Sequence, residues 1–346
     1  MPIGSGSTAD DVVAALGCDA TTLSGRTVVL TGATAGIGRA TALCLASLGP
    51  TLVCGCRSEE KGRTLVEGLH AELSPPPRVF VPHLELSDLD SVRAFATEVA
   101  SRLASGEWPP LHSLVLNAGV INLSAKFGAD GMENTFRTNH LGHFLLTHLL
   151  LPFLRSAAPA RVVVVASNSH FGPLATAKRA LDDERAWLED VIYPSPTRWS
   201  MSRGTAAYGS SKLANVLFAA ELHRREASMH TGVAACSLHP GNMMATDIGR
   251  GNWFVNTLMK AGGLFGITRS MAQGAATTVL CTLVGQQSLR GQYWSDCGEA
   301  EASWRAVVSP VTLSLDAVAL HVTIAIHVTT VRLTVPVCNA RDRSER

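Results

Sequence analysis

The sequence has no excess of charge of either sign. Lys plus Arg number 29 and Asp plus Glu number 28 in 346 residues, and no basic block occurs, which argues against electrostatic binding of nucleic acid. No uncharged apolar stretch of about 18 residues, long enough to cross a bilayer, occurs. The nearest candidate, residues 317–331, is shorter and contains His321 and His327. Residues 1–9 lack the basic and apolar regions of a secretory signal, so we expect neither a transmembrane segment nor a signal peptide.

Cysteine pairs with the spacing of a metal site are also absent. The eight cysteines are Cys18, Cys44, Cys54, Cys56, Cys236, Cys281, Cys297 and Cys338. None forms Cys-x-x-Cys, and no His/Cys cluster has zinc spacing, so we predict no metal. Most lie in apolar runs, as small buried hydrophobic residues do, and a reducing compartment such as the cytoplasm is expected.

The composition that remains is globular, and its first pattern is a strand, a glycine-rich turn and a helix. Hydrophobic residues make up 46% and charged residues 16%. A β-branched run at residues 26–31 leads to Gly32, Gly36 and Gly38, and a helical pattern covers residues 39–48. Glycines let the backbone approach a pyrophosphate, and a helix N-terminus offers free N–H groups. A tight turn without a ligand is the alternative, but the flanking strand and helix favour a dinucleotide.

The end of the second strand, residues 51–56, indicates which dinucleotide is bound. A carboxylate about 20 residues after the glycines would bind the ribose 2′-hydroxyl of NAD. Cys56 stands there instead, and Arg57 follows it, which suits the 2′-phosphate of NADP. A solvated loop arginine is the alternative. We favour NADP, and we assign Glu59 and Glu60 to the first turn of the next helix.

Strands and helices alternate through the rest of the chain. Further strands are predicted within residues 78–86, 111–116, 161–166 and 232–238, and helices at residues 88–103, 134–151 and 270–283. This order predicts a single-domain α/β fold with a doubly wound, Rossmann-type parallel sheet and helices on both faces. Ligands of such sheets bind at the carboxyl ends of the strands. The residues at those ends are Thr31, Arg57, Asn117, Ser167 and His239.

Two side chains on a later helix suit acid–base chemistry. Tyr208 and Lys212 are four residues apart and share a helical face. The helix is predicted from an apolar stripe of Leu213, Val216, Leu217 and Ala220. An amine beside a phenol would lower the phenol pKa from about 10, so that it could exchange a proton with a substrate oxygen. The same spacing occurs by chance in many helices. His140, His143 and His148, on the predicted helix at residues 134–151, are interpreted as ordinary helix or core histidines.

Taken together, the motifs resemble the short-chain dehydrogenase/reductase family, in particular its retinol-dehydrogenase-like branch. They occur in the family's order and cover roughly residues 26–305. The motifs are Thr31-Gly32-x3-Gly36-x-Gly38, Asn117-Ala118-Gly119, Asn139, Ser167, Tyr208-x3-Lys212 and Pro240-Gly241. Two departures are Glu85-Leu86, where the family usually has Asp-Leu beside the adenine, and Ala166-Ser167 in place of a Ser-Ser pair.

The resemblance implies a role for each matched residue. Tyr208 would be the acid or base at the substrate oxygen, and Lys212 would lower its pKa and bind the nicotinamide ribose. Ser167, with Ser169 as the fallback, would polarise the substrate oxygen, and Asn139 would hold a water of a proton relay. The expected cofactor contacts are Gly32, Thr34, Gly36, Ile37, Gly38, Arg57, Glu85, Leu86, Asn117, Ala118, Gly119, Tyr208, Lys212, Pro240 and Gly241.

These roles predict an NADP-dependent oxidoreductase that interconverts an alcohol and a carbonyl by hydride transfer. The long interval between Ser167 and Tyr208 favours an apolar substrate such as a retinoid, steroid or lipid carbonyl. So does an apolar region that contains Trp253, Phe254, Leu258 and Phe265, although those side chains could instead serve core or subunit packing. A cofactor-binding regulatory or scaffold protein with little turnover is the alternative function. Peripheral membrane contact and a homodimer stay open.

Domain boundaries follow from where the resemblance begins and ends. We predict a leader at residues 1–24 with a short helix near its middle, a catalytic domain at residues 25–308 and an extension at residues 309–346. The extension is rich in Val, Thr, Leu and Ile with partial alternation, which is typical of strand. An added hairpin, a membrane-peripheral segment and an artefact of gene prediction are all compatible with it.

Overall fold

A computed structural model describes residues 3–124, 126–172, 192–241 and 269–300. Its centre is an eight-stranded sheet with the order β3-β2-β1-β4-β5-β6-β7-β8. The strands are Thr27–Thr31 (β1), Thr51–Gly55 (β2), Val79–Phe80 (β3), Leu111–Leu116 (β4), Ala160–Val165 (β5), Val233–His239 (β6), Tyr293–Ser295 (β7) and Gly298–Ala300 (β8). All neighbours are parallel except β7 and β8. The chain order reverses between β1 and β4, and a crevice opens at such a point.

Helices cover both faces of this sheet. They are Ala9–Ala15 (α1), Gly36–Ala46 (α2), Glu59–Glu72 (α3), Leu89–Ala104 (α4), Gly142–Ser156 (α5), Met201–Ser228 (α6) and Met271–Leu283 (α7). Because side chains alternate along a strand, Val28 and Leu30 of β1 join one core cluster and Val29 joins the other. The first cluster includes side chains of α1, α2 and α7, and the second includes side chains of α4, α5 and α6. The predicted doubly wound α/β fold is confirmed.

The structure departs from the predicted elements in three places. The third strand covers only Val79–Phe80, because Pro82 has no N–H to donate, although a single bridge joins Cys56 and His83. Strands β7 and β8 were not predicted. The helix predicted over residues 134–151 is instead one α-helical turn, Asn134–Phe136, then a π-helical turn, Arg137–Leu141, before α5 begins. The last difference matters for the site because it places Asn139 within the π-turn.

The N-terminal segment packs against the rest of the fold. Helix α1, close to the predicted short helix, begins with a capping box between Thr8 and Asp11. Val12 and Leu23 are almost fully buried in the core cluster that α2 and α7 share. Part of the segment predicted as a leader therefore packs on the helical layer. The predicted extension at residues 309–346 lies outside the described residues. Within the described ranges, no helix is both long and apolar enough to cross a bilayer.

Leu23→Ala should lower the free energy of unfolding by about 2–5 kcal/mol, since it empties a site that is 1% exposed. The matched control is Leu16→Ala, at a position 38% exposed, which should change it by less than about 0.5 kcal/mol. Chemical denaturation of the full chain measures both. Equal losses in the two variants would contradict the anchoring of this segment.

Candidate active site

The glycine-rich turn between β1 and α2 is shaped for a ligand. Gly32 has a φ of +71°, and a Cβ on it would lie 2.8 Å from the Cα of Ala118. A Cβ on Gly38 would lie 2.0 Å from the carbonyl oxygen of Gly32, so no larger residue fits there. Ala35 precedes α2 and provides no side-chain cap, which leaves the first N–H groups of the helix available to an anion. The predicted cofactor residues Gly32, Thr34, Gly36, Ile37 and Gly38 all lie in this turn or the first turn of α2.

A hydrogen-bonded lock joins this turn to the end of β4. The Thr31 hydroxyl oxygen accepts hydrogen bonds from the backbone N–H groups of Asn117 and Ala118, each at 3.0 Å. In return, the Asn117 side chain donates to the carbonyl oxygen of Thr31 at 2.9 Å. The predicted residues of the glycine turn and of Asn117-Ala118-Gly119 therefore share one edge of the sheet. The turn and the uncapped helix fit the pyrophosphate of a dinucleotide.

Arg57 lies beyond the carboxyl end of β2, where the adenosine end of a dinucleotide would meet the sheet. Its side chain is 59% exposed and lies 3.7 Å from the Glu85 carboxylate. Glu85 also accepts hydrogen bonds from the N–H and the hydroxyl of Ser87, at 3.0 and 2.8 Å. Leu86 is buried, and its carbonyl would lie 2.3 Å from a Cβ on Gly142. Glu85 therefore holds the following turn and faces the exposed guanidinium.

Helix α6 brings Tyr208 and Lys212 together as predicted. The Lys212 ammonium lies 5.6 Å from the centre of the Tyr208 ring and donates to the carbonyl oxygen of Val165 at 3.0 Å. Lys212 is 3% exposed, and burial lowers its pKa to about 8. A Cβ on Gly119 would lie 3.3 Å from its Nζ, so the amine faces the end of β4.

Tyr208 differs from the sequence prediction in its protonation. Burial raises the pKa of this phenol, and the hydrogen bond between the Tyr208 and Ser167 hydroxyls lowers it by less. The net shift of the Tyr208 pKa is upward, and the group that lowers it is Ser167, so the expected lowering by Lys212 is not found. The contact places Ser167 beside Tyr208, which favours it over the fallback Ser169.

Asn139 is fully buried in the π-turn, and both ends of its side-chain amide make hydrogen bonds. Its Oδ1 accepts from the N–H of Val120 at 2.8 Å, and its Nδ2 donates to the carbonyl of Val120 at 2.9 Å. Nδ2 also donates to the Ser211 hydroxyl at 3.0 Å, and that hydroxyl donates to the carbonyl oxygen of Tyr208 at 2.7 Å. Asn139 thus ties the segment after β4 to the helix that carries Tyr208. Its relay role stays a prediction, and the second lone pair of Oδ1 and the backbone carbonyl oxygen are the acceptors available for it.

Comparison with known proteins places this arrangement in a family. A sequence profile for the short chain dehydrogenase family matches residues 26–178. The WW domain-containing oxidoreductase of Danio rerio is 40% identical over 295 residues, which are 85% of this chain and 67% of that protein. Retinol dehydrogenase 12 of Homo sapiens is 38% identical over 291 residues, 82% of each chain. The chain belongs to the short-chain dehydrogenase family.

Members of this family are oxidoreductases with a nicotinamide cofactor, and the retinol-dehydrogenase-like resemblance is confirmed. The chain spans only 62% of the length of the Homo sapiens WW domain-containing oxidoreductase, to which it is 39% identical. Among solved structures, a short chain dehydrogenase from Burkholderia cenocepacia J2315 in complex with NADP has a TM-score of 0.58 at 21% identity. That match covers 80% of this chain and 97% of the other, and it supports the Rossmann-type fold.

The last motif of the short-chain dehydrogenase pattern lies at the same edge of the sheet, whereas the predicted substrate region lies outside the described residues. Pro240 and Gly241 follow β6, and Gly241 has a φ of +111°, which favours glycine. The apolar region around Trp253 and Phe265 lies outside the described residues. In the described part of the chain, no group of three or more His, Cys, Asp or Glu side chains could hold a metal ion.

Sequence reasoning missed two polar contacts behind the site. Tyr293 of β7 donates to Oδ1 of Asn168 at 2.9 Å and so supports the turn that begins at Ser167. His143, interpreted as an ordinary helix or core histidine, contacts both Thr31 and Asn139. Its position one helical turn after Asn139 was the only signal in the sequence.

Gly38→Ala should weaken binding of NADPH at least about tenfold, because the new Cβ would overlap the Gly32 carbonyl and distort the turn. Gly4→Ala is the matched control, since nothing lies within 4 Å of a Cβ there. Fluorescence titration of NADPH into each full-length variant gives the dissociation constants. An unchanged constant for Gly38→Ala would show that this turn does not hold the cofactor.

Proposed function

We propose that the protein is an NADP-dependent oxidoreductase that interconverts an alcohol and a carbonyl by hydride transfer, acting on an apolar substrate. One observation carries the proposal. The Tyr208 and Ser167 hydroxyls meet at the carboxyl edge of the sheet, next to the buried Lys212 amine and the glycine-rich turn. A carbonyl oxygen placed at the two hydroxyls would receive two hydrogen bonds at once.

The protonation of these groups suits reduction of a carbonyl. NADPH held at the glycine-rich turn would supply the hydride for the carbonyl carbon. Tyr208 donates the proton to the oxygen, and its raised pKa keeps the phenol protonated at neutral pH. Ser167 donates a hydrogen bond that stabilises negative charge as it forms on that oxygen. Lys212, with a pKa of about 8, is mostly cationic at neutral pH and favours the transient phenolate.

The choice of NADP is supported by Arg57. No carboxylate occupies the position of Cys56, where it would bind a ribose 2′-hydroxyl, and the Arg57 guanidinium is mostly exposed and can reach a 2′-phosphate. The NADP in the Burkholderia cenocepacia structure points the same way.

An apolar substrate is supported by exposed apolar side chains on the two segments that carry the hydroxyls. Four large hydrophobic residues in the described part of the chain are exposed, and Phe171 and Met201 are two of them. Phe171 ends the turn that begins at Ser167, and Met201 lies two helical turns before Tyr208 on the same face of α6. The activity named for the retinol dehydrogenases suggests a retinoid, with a steroid or another lipid carbonyl as further members of the class. Contact with a membrane surface and a homodimer would be compatible with such a substrate.

The reducing compartment expected from the sequence remains part of this proposal. Seven cysteines of the described residues are free, which supports a location such as the cytoplasm.

Tyr208→Phe tests the proposed acid. The variant should reduce carbonyls on the order of 100-fold more slowly or worse, because only the transferable proton is removed, while NADPH binding stays nearly unchanged. NADPH oxidation against a panel of retinal, steroid and aliphatic carbonyls measures turnover, and fluorescence titration measures binding. Retention of more than a tenth of the wild-type rate would exclude Tyr208 as the acid. A wild-type protein that binds NADPH and reduces none of the panel would favour the regulatory alternative.

Arg57→Asp tests the cofactor assignment. The substitution should reverse the preference from NADP to NAD, since a carboxylate repels the 2′-phosphate and accepts from the 2′-hydroxyl. Arg78→Asp is the matched control, because it makes the same change of charge at an exposed residue before β3, at the opposite edge of the sheet. Dissociation constants for both dinucleotides decide the matter. Equal affinity of the unmodified protein for NADP and NAD would overturn the assignment.

A further inference from the structure

His143 is a buried side chain with a polar partner on each ring nitrogen. It lies in the first turn of α5 and is 1% exposed. Its Nε2 is 2.9 Å from the hydroxyl oxygen of Thr31, and its Nδ1 is 3.0 Å from the carbonyl oxygen of Asn139. One partner precedes the glycine-rich turn, and the other lies in the π-turn. The ring therefore bridges two parts of the site that are far apart in the chain.

The partners of Thr31 determine where the ring proton of His143 lies. The Thr31 oxygen already accepts hydrogen bonds from the N–H groups of Asn117 and Ala118, which use both of its lone pairs. Only its own hydrogen remains, so the hydroxyl donates to Nε2 of His143. The Asn139 carbonyl can only accept, so Nδ1 carries the proton and donates to it. The ring is thus neutral, consistent with burial, which lowers the His143 pKa to about 3.

Together, the hydrogen bonds of Thr31, Asn139 and His143 form a closed cycle around the end of β4. Thr31 holds the N–H of Ala118, and two residues later Val120 exchanges two hydrogen bonds with the Asn139 side chain. The His143 side chain closes the cycle, because it is hydrogen-bonded both to the Asn139 carbonyl and to the Thr31 hydroxyl. Gly119 lies within this cycle of hydrogen bonds, and a Cβ on it would be 3.3 Å from Nζ of Lys212 and 3.6 Å from Oδ1 of Asn139.

We propose that His143 is a positioning residue, which joins the cofactor turn at Thr31 to the π-turn at Asn139 and so fixes the backbone opposite Lys212. The inference rests on the proposed function, because that function gives Asn139 and Lys212 their roles. His143 contacts neither the substrate oxygen nor a reacting atom. It acts through Thr31, which precedes the glycine-rich turn, and through Asn139, to which the proton relay is assigned.

The neighbouring His140 has different surroundings, although it is equally buried and lies in the same segment. Its Nδ1 is 3.0 Å from Oδ1 of Asn215, and its ring packs against Phe136, Phe144 and Phe218. None of the hydrogen bonds described above around Gly119 involves His140. Burial and position in the helix therefore do not account for the contacts of His143.

Two substitutions separate the two halves of the bridge. His143→Asn places an amide nitrogen near the position of Nδ1, which keeps donation to Asn139 but removes the acceptor for Thr31. It should weaken NADPH binding about fivefold and change kcat less. His143→Gln places an amide oxygen near the position of Nε2, which keeps the acceptor but removes the donor. It should lower kcat about fivefold and leave the NADPH dissociation constant within about twofold. His143→Leu removes both the acceptor and the donor, so it should show both the weaker NADPH binding and the lower kcat.

His112→Asn is the matched control for loss of a buried histidine. His112 is 5% exposed and contacts Arg26 and Ser113 at the amino end of the sheet, away from the site. The His112→Asn variant should have a lower melting temperature and an unchanged kcat and NADPH dissociation constant. If the three His143 variants also lowered only the melting temperature, or if His143→Asn and His143→Gln each lost kcat and NADPH binding in the same proportion, the proposal would be overturned.

A spectroscopic measurement tests the bridge without substrate or cofactor. In the full chain labelled with ¹⁵N-histidine and assigned through the backbone, the His143 ring should be the neutral Nδ1–H tautomer from pH 5 to pH 9. An Nε2–H tautomer, or titration within that range, would refute the bridge even if no variant folds. Should the wild-type protein reduce no carbonyl, the proposed function fails, and the tautomer and the NADPH constants still decide the inference.

Discussion

The Thr31 hydroxyl is the group around which the carboxyl edge of the sheet is built. It accepts from the backbone of Asn117 and Ala118 and donates to His143, so it links β1, β4 and α5 through one oxygen atom. Strands β1 and β4 are neighbours at the point where the strand order reverses. The Thr31 hydrogen bonds therefore hold β1 and β4, the two walls of the crevice, together beside the glycine-rich turn. Movement of either wall would break a hydrogen bond of the fully buried Thr31 side chain, which is costly because the buried partner is left unsatisfied.

Burial sets the acid–base character of the site more strongly than the neighbouring charges do. It lowers the pKa of Lys212 to about 8 and raises the pKa of Tyr208. Both changes favour the uncharged form of the group. The consequence is a phenol that holds its proton at rest and an amine close to its titration range. In the proposed reaction, the phenol would therefore keep its proton until a substrate oxygen accepts it.

The sequence was sufficient to predict a helix or strand wherever a local pattern of residues specifies that element. Strands β1, β2 and β4 to β6 are apolar runs, and the Tyr208 helix has its apolar stripe, so these elements and the residues at the strand ends could be predicted. Strands β7 and β8 have three residues each and exist through pairing with β6 and with each other. The π-turn at Asn139 and the bridge made by His143 depend on partners distant in sequence. The Tyr208 pKa was predicted in the wrong direction because spacing shows a nearby charge but not the depth of burial.

The docking of helix α1 has a consequence for the order of folding. The Gln273 side chain in α7 donates to the carbonyl of Gly6, across 267 positions of the chain, and α1 packs against α7. The surface that buries α1 is thus complete only when two segments that lie far apart in the chain have come together. Until then Val12 and its neighbours are exposed to water, and loop closure over so many residues is slow. The contact between α1 and α7 therefore adds an interaction of very long range in sequence to the first core cluster.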